Sequence, residues 1–179
     1  ADQLTPVLAY RRLVSADERT APSFLLESVE GGERQGRHSI LGAQPALELL
    51  ARGHHTVLTD HRAGSPPLES TRPDPLRTLR ELSADIRLIR AGAGLAEASI
   101  PILGGWFGYA GYDTVRYAEP EKLSAARAPR DDRNLPDLHF GLYDGVVVFD
   151  HVDKVIHIFQ IILFLPCYVS DWGCDIVSG

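Results

Sequence analysis

Methionine is absent from this 179-residue chain, cysteine occurs twice, and there is neither an excess of positive charge nor an apolar run long enough to span a bilayer. Without an initiating methionine, the expectation is an N-terminus that has been processed or trimmed. Cys167 and Cys174 both fall in the last thirteen residues, too few and too oddly spaced for a zinc site or a disulfide framework, so a reducing, cytoplasmic setting is expected. The opening ADQLTPVLAYRR has no basic stretch followed by an apolar one and does not read as a secretory signal. A formal charge of -6 argues against a nucleic-acid partner, because affinity for a phosphate backbone comes mainly from Lys and Arg. The longest apolar run, VIHIFQIILFLP (residues 155–166), is interrupted by His157 and Gln160 and falls short of the about 20 residues a spanning helix needs. It reads as a buried strand, and no membrane partner is expected.

What is present is the composition of an ordinary folded domain, with 44% hydrophobic and 23% charged residues. Thr5 followed by Pro6 has the form of an N-cap and a first-turn proline, opening a short helix through VLAYRRL. FLLESV (24–29), HSILGA (38–43), ALELLA (46–51) and HTVLTDH (55–61) are short apolar runs separated by turn residues, expected as neighbouring antiparallel strands. RAGSPPLESTRPD (62–74) is the most loop-like stretch. Asp74 and Pro75 then open a second helix, with Leu76, Leu79, Leu82, Ile86 and Ile89 at spacings of three and four, ended by Gly92. LPDLHFGLYDGVVVFDHVDKVIHIFQ (135–160) reads as two long strands joined at residues 151–154. Many strands with few helices and no regular alternation predict an α+β fold, a largely antiparallel β-sheet with a few packed helices.

GGWFGYAGYDTVRYAE (104–119) has the glycine content of a phosphate-binding loop but not its chemistry. Such a loop turns backbone amides toward an anion at a strand-to-helix junction, usually with a Lys following. Here Gly105, Gly108 and Gly111 alternate with Trp106, Phe107, Tyr109 and Tyr112, and no Lys is present. Glycine at every third position of an aromatic strand instead predicts close backbone approach or a bulge. Asp113 is placed to cap a short helix that Pro120 ends. His54, His55 and His61 beside Asp60 have metal-binding residue types, but adjacent histidines on a strand point to opposite faces, so surface histidines on a hairpin are expected. RDDR (130–133) reads as a solvated loop, because its charges alternate and no apolar run flanks it.

Three long stretches in a fixed order carry a further signal: FLLESVEGGERQGRHSILG (24–42), GGWFGYAGYDTVRYAE (104–119) and LPDLHFGLYDGVVVFDHVDKVIHI (135–158). Together they resemble the N-terminal region of anthranilate synthase component I, a likeness covering residues 5–158, and imply the N-terminal part of its α/β sandwich. The related aminodeoxychorismate synthase component I shares the architecture, but YDTVRYAE and LLESVEGGE look more like the anthranilate enzyme. The resemblance implies an enzyme that makes anthranilate and pyruvate from chorismate and ammonia with Mg2+, in tryptophan biosynthesis. Its ammonia would come from a glutamine amidotransferase subunit. Chorismate and Mg2+ residues of that family belong to a C-terminal region with no counterpart here, so no catalytic residue and no metal ligand is assigned.

The same resemblance implies part of a feedback site for L-tryptophan, carried by Leu26, Glu27 and Ser28 of the LLES motif and by His38 and Ser39 of GRHSILG, with Arg37 beside them. A carboxylate and a hydroxyl suit the ammonium and carboxylate of a free amino acid in a partly apolar groove. Strand alternation sends Glu27 and Ser28 to opposite faces unless the strand bends or ends there. The family commonly has an aromatic residue where this chain has His38. After Ile158 the resemblance stops. The expected organisation is one domain over residues 1–158 and an atypical tail over 159–179, a frame-shifted or otherwise aberrant end. A stand-alone effector-binding or interaction module is the alternative function.

Overall fold

The computed structural model describes residues 4–14, 22–29, 35–84, 86 and 102–162. Its elements are α1 (Pro6–Leu13), β1 (Ser23–Val29), β2 (Gln35–Ala43), β3 (Leu47–Arg52), β4 (His55–Asp60), β5 (Leu68–Thr71), α2 (Pro75–Ser83), β6 (Gly105–Ala110), α3 (Val115–Ala118), β7 (Leu138–Tyr143), β8 (Gly145–Asp150) and β9 (Val155–Gln160). Single 3-10 turns at Tyr112–Thr114 and Ala125–Arg127 complete it. All strand pairs are antiparallel, in a four-stranded sheet ordered β1-β2-β8-β9 and a five-stranded sheet ordered β5-β4-β3-β7-β6. The fold is α+β, as the strand-rich pattern predicts.

The two sheets meet at a corner where two paired chains bend together. β2 runs into β3 through Gln44, Pro45 and Ala46, and β7 runs into β8 through Asp144. On one side of the corner Leu41 pairs with Val147; on the other, Leu47 pairs with Leu142. Gln44 turns the corner with φ 55°, in the left-handed region. Pro45 packs on Gly141, where a Cβ would lie 2.9 Å from the proline's own Cβ. The first of the two long strands expected over 135–160 is therefore broken at Asp144 and gives one half to each sheet. HSILGA and ALELLA, expected as paired neighbours, also belong to different sheets.

Helix α1 is capped as expected: Leu8 N donates to Thr5 Oγ1 at 3.2 Å, with Pro6 in the first turn. Its Ala9 and Tyr10 cover Leu41, Phe149, Leu25 and Val147 on one face of the four-stranded sheet. The opposite face carries Ile40, Val146 and Val148, which meet Phe24, Phe107 and Tyr143 from both sheets and Ile102 from the segment before β6. Phe24 of β1 stacks on Phe107 of β6 with ring centres 4.0 Å apart, tying the two sheets beyond the corner. Helix α2 starts at its predicted cap, Asp74 accepting from Leu76 N at 3.1 Å, and lays Leu76 and Leu79 over Leu49, Ala51 and Leu138. It stops at Ser83, short of the predicted end. Ser83 Oγ donates to Leu79 O at 2.6 Å, and Ile86 N reaches only the Ser83 carbonyl. Ile89 and Gly92 lie outside the described residues.

The glycine-rich stretch is an edge strand without a phosphate cradle. Gly108 lies so close to β7 that a Cβ would strike the His139 carbonyl and sit 2.6 Å from Phe140 Cα. Gly105 is needed for another reason, its φ of 135°. Two further expectations are corrected. Asp113 precedes the helical turn but pairs with Arg116 Nε at 2.7 Å instead of capping backbone amides. The loop-like 62–74 stretch contains the short edge strand β5. At the other end, β9 is not buried. Among the described residues it is an edge strand, and Ile158 is 78% exposed. β9 continues to Gln160, and the tail beyond Ile162, with Cys167, Cys174 and Trp172, lies outside the described residues.

Candidate functional site

The LLES and GRHSILG motifs lie on adjacent strands. Leu25 pairs with Leu41, Leu26 with Ile40 and Glu27 with Ser39; the register then slips, and the next pair is Val29 with Gln35. Between these pairs Ser28 alone faces Gly36, Arg37 and His38, so the ladder between the two strands lapses at the middle of the candidate site. Gly36 is buried against Ser28, and a Cβ there would collide with the serine's side chain and carbonyl. Directly paired residues share a face of the sheet. Leu26 and His38 therefore lie on the Phe24 and Ile40 side, toward the second sheet. Glu27 and Ser39 lie on the side that α1 covers.

Exposure divides the five residues further. Leu26 is 50% exposed despite facing the second sheet, and Glu27 and Ser28 are exposed. Ser39 is 2% exposed, and its hydroxyl lies 2.7 Å from His151 Nε2. The His38 side chain is mostly buried; its Nε2 sits 3.4 Å from Asp150 Oδ2, without hydrogen-bonding geometry. Leu26, Glu27 and Ser28 thus remain available to a ligand, whereas the hydroxyl of Ser39 is committed inside the protein.

The β8–β9 turn supplies the residues that sequence reading missed. Arg37 Nε donates to Asp150 Oδ2 at 2.9 Å and its Nη2 to Asp153 Oδ2 at 2.9 Å. Asp150 Oδ1 accepts from Val152 N at 2.9 Å and Asp153 N at 3.0 Å, closing the turn. The Asp153 amide, then the Arg37 guanidinium, hold the Asp150 carboxyl well below the usual carboxylate range. The hairpin itself is legible in DHVDK, but nothing local shows that its partner strand lies more than a hundred residues earlier.

The remaining polar clusters hold the fold. Glu48 on β3 accepts from His139 Nε2 at 2.6 Å and meets His61 Nε2 at 2.8 Å, and its carboxyl is lowered first by the His139 hydrogen bond. His54 and His55 go to other partners, the Arg72 carbonyl and Glu69. In the RDDR loop Asp131 Oδ1 accepts from the amides of Arg133 and Asn134, forming a local turn. Among the described residues no group of three or more His, Cys, Asp or Glu side chains is placed to hold a metal ion. Among the same residues no helix is long and apolar enough to cross a membrane.

No family model matches the chain. Individual proteins do. Anthranilate synthase alpha subunit 1 of rice, named as chloroplastic, is 49% identical over 161 residues, which cover 88% of this chain. The corresponding protein of Arabidopsis thaliana is 50% identical over 167 residues, again 88% of the chain. Bacterial anthranilate synthase component 1 from Acetivibrio thermocellus is 33% identical over 159 residues. The chain belongs to the anthranilate synthase component I family. A crystal structure of anthranilate synthase component I from Streptococcus pneumoniae superposes with a TM-score of 0.52 and 28% identity, over 89% of this chain and 30% of that one. The chain spans about a quarter of the length of the component I relatives it matches, 27% for the rice protein and 29% for that of Acetivibrio thermocellus. The component I proteins of rice and Arabidopsis are named as chloroplastic, so these relatives do not support the cytoplasmic setting expected from the sequence.

Proposed function

We propose that this chain forms a regulatory and scaffolding portion of an anthranilate synthase component I and carries part of a feedback site for L-tryptophan on β1 and β2. The whole enzyme would make anthranilate and pyruvate from chorismate and ammonia in tryptophan biosynthesis. Mg2+ and a glutamine amidotransferase subunit would serve that whole enzyme. The single observation that supports the reading is the meeting of the LLES and GRHSILG motifs on paired strands, in a chain about half identical to plant anthranilate synthase alpha subunits.

The exposed carboxylate of Glu27 suits an ammonium group, the exposed hydroxyl of Ser28 suits a carboxylate, and half-exposed Leu26 offers apolar contact. Glu27 lies on the opposite face of β1 from Leu26, and the register slip at Ser28 is where the backbone departs from strict alternation. Isothermal titration of L-tryptophan into the chain tests the reading, with Ser28→Ala beside it. Binding weakened at least about tenfold in the variant is expected, the scale of a hydrogen bond to a charged group. No heat from a chain shown to be folded by circular dichroism would sink it.

A further inference from the structure

We propose that the β8–β9 turn positions the effector strand β2, so that His151, Asp150 and Asp153 set tryptophan affinity without touching the ligand. The inference rests on the tryptophan reading for its functional consequence, but not for its structural content. Three consecutive residues of β2 are tied to this turn. The Arg37 carbonyl accepts from His151 N at 2.8 Å and its guanidinium bridges Asp150 and Asp153. His38 pairs in register with Asp150, and Ser39 Oγ lies 2.7 Å from His151 Nε2.

These ties matter because of what is missing on the other side. Where a regular ladder would fix β2 from β1, Ser28 confronts three residues and the pairing slips. The place of Arg37 and His38 is therefore fixed mainly from the β8 side, while Gly36 rests against Ser28. Ser39 is the first residue beyond the slip that is paired on both sides, with Glu27 and with Phe149. A shift of Ser39 passes directly to Glu27, and through it to Ser28. The buried Ser39 hydroxyl has His151 as its partner, so removing that imidazole leaves a buried polar group without one.

The test compares His151→Ala, His151→Gln and Asp153→Ala in the full chain, by L-tryptophan titration and by amide hydrogen exchange at Glu27 and Ser28. His151→Ala is expected to bind tryptophan about fivefold more weakly, the worth of one hydrogen bond. His151→Gln, whose amide reaches Ser39 again, should recover most of the loss. Exchange at Glu27 and Ser28 should quicken in His151→Ala and Asp153→Ala, while amides of the β3–β7 ladder keep their rates. Wild-type affinity in His151→Ala, or uniform acceleration across both sheets, overturns the proposal. If the wild-type chain gives no heat with tryptophan, the effector reading falls on its own. The positioning role is then decided by exchange alone: faster exchange confined to Glu27 and Ser28 upholds it, and unchanged exchange overturns it.

Discussion

At the residue scale, Glu48 lies outside the candidate site and is held between His139 and His61 at 2.6 and 2.8 Å. Hydrogen bonds from His139 and then His61 stabilise the carboxylate against the burial that opposes it, and the folded pKa lies below the ordinary value of 4.5. A carboxyl depressed on folding contributes stability that is fully present above its unfolded pKa and lost as the pH falls through the folded one. The unfolding free energy of wild type relative to Glu48→Gln is therefore expected to be largest near pH 7, about 1 kcal/mol, and to shrink as the pH drops below 4.5. Urea titrations of both proteins between neutral and acid pH measure it. A difference that grows on acidification contradicts the assignment. Asp150 titrates in the same direction in both proteins and cancels from the comparison.

At the scale of elements, what the sequence could show depended on how local the signal was. Both helix starts were legible because a capping residue followed by proline is a chemical instruction written in two positions, and Thr5–Pro6 and Asp74–Pro75 both obey it. The strands of 24–60 were legible from apolar runs, the LLES strand among them. The corner was not. A strand that bends into a second sheet keeps the same alternation as one that continues, so Gln44 and Asp144 carry no periodic signature; only pairing across a hundred residues distinguishes the cases. The turn behind the candidate site was hidden for the same reason. Gln44 gives the corner a local test, since its φ of 55° favours glycine and penalises β-branched residues. Gln44→Val is expected to cost about 1–3 kcal/mol, and Gln44→Gly to be neutral or better. Equal urea midpoints for the two variants would mean that the corner does not depend on a left-handed residue.

At the scale of the whole molecule, the two sheets of the described residues end in the edges β1, β9, β5 and β6, and the β9 edge carries several exposed large apolar side chains. Ile158 is 78% exposed and Ile162 76%, with Val155 and Ile156 beside them also exposed. Helix α1 covers the β2 and β8 part of this sheet face, through Leu41 and Phe149, and does not reach β9. An unpaired strand edge bearing large apolar side chains is an association site. The chain by itself is expected to self-associate as its concentration rises, and a single charge on the outer strand should relieve it. Ile158→Lys removes the most exposed of these side chains at a position that contributes little to the core, so the melting temperature should stay within a few degrees of wild type. Light scattering and sedimentation velocity on the two proteins decide the matter. Self-association lost in the variant places the sticky surface on β9. Association unchanged by the lysine moves it to another edge, and a monodisperse wild-type monomer shows that this face is tolerated in water, the behaviour of a self-sufficient module and not of a portion awaiting its remainder.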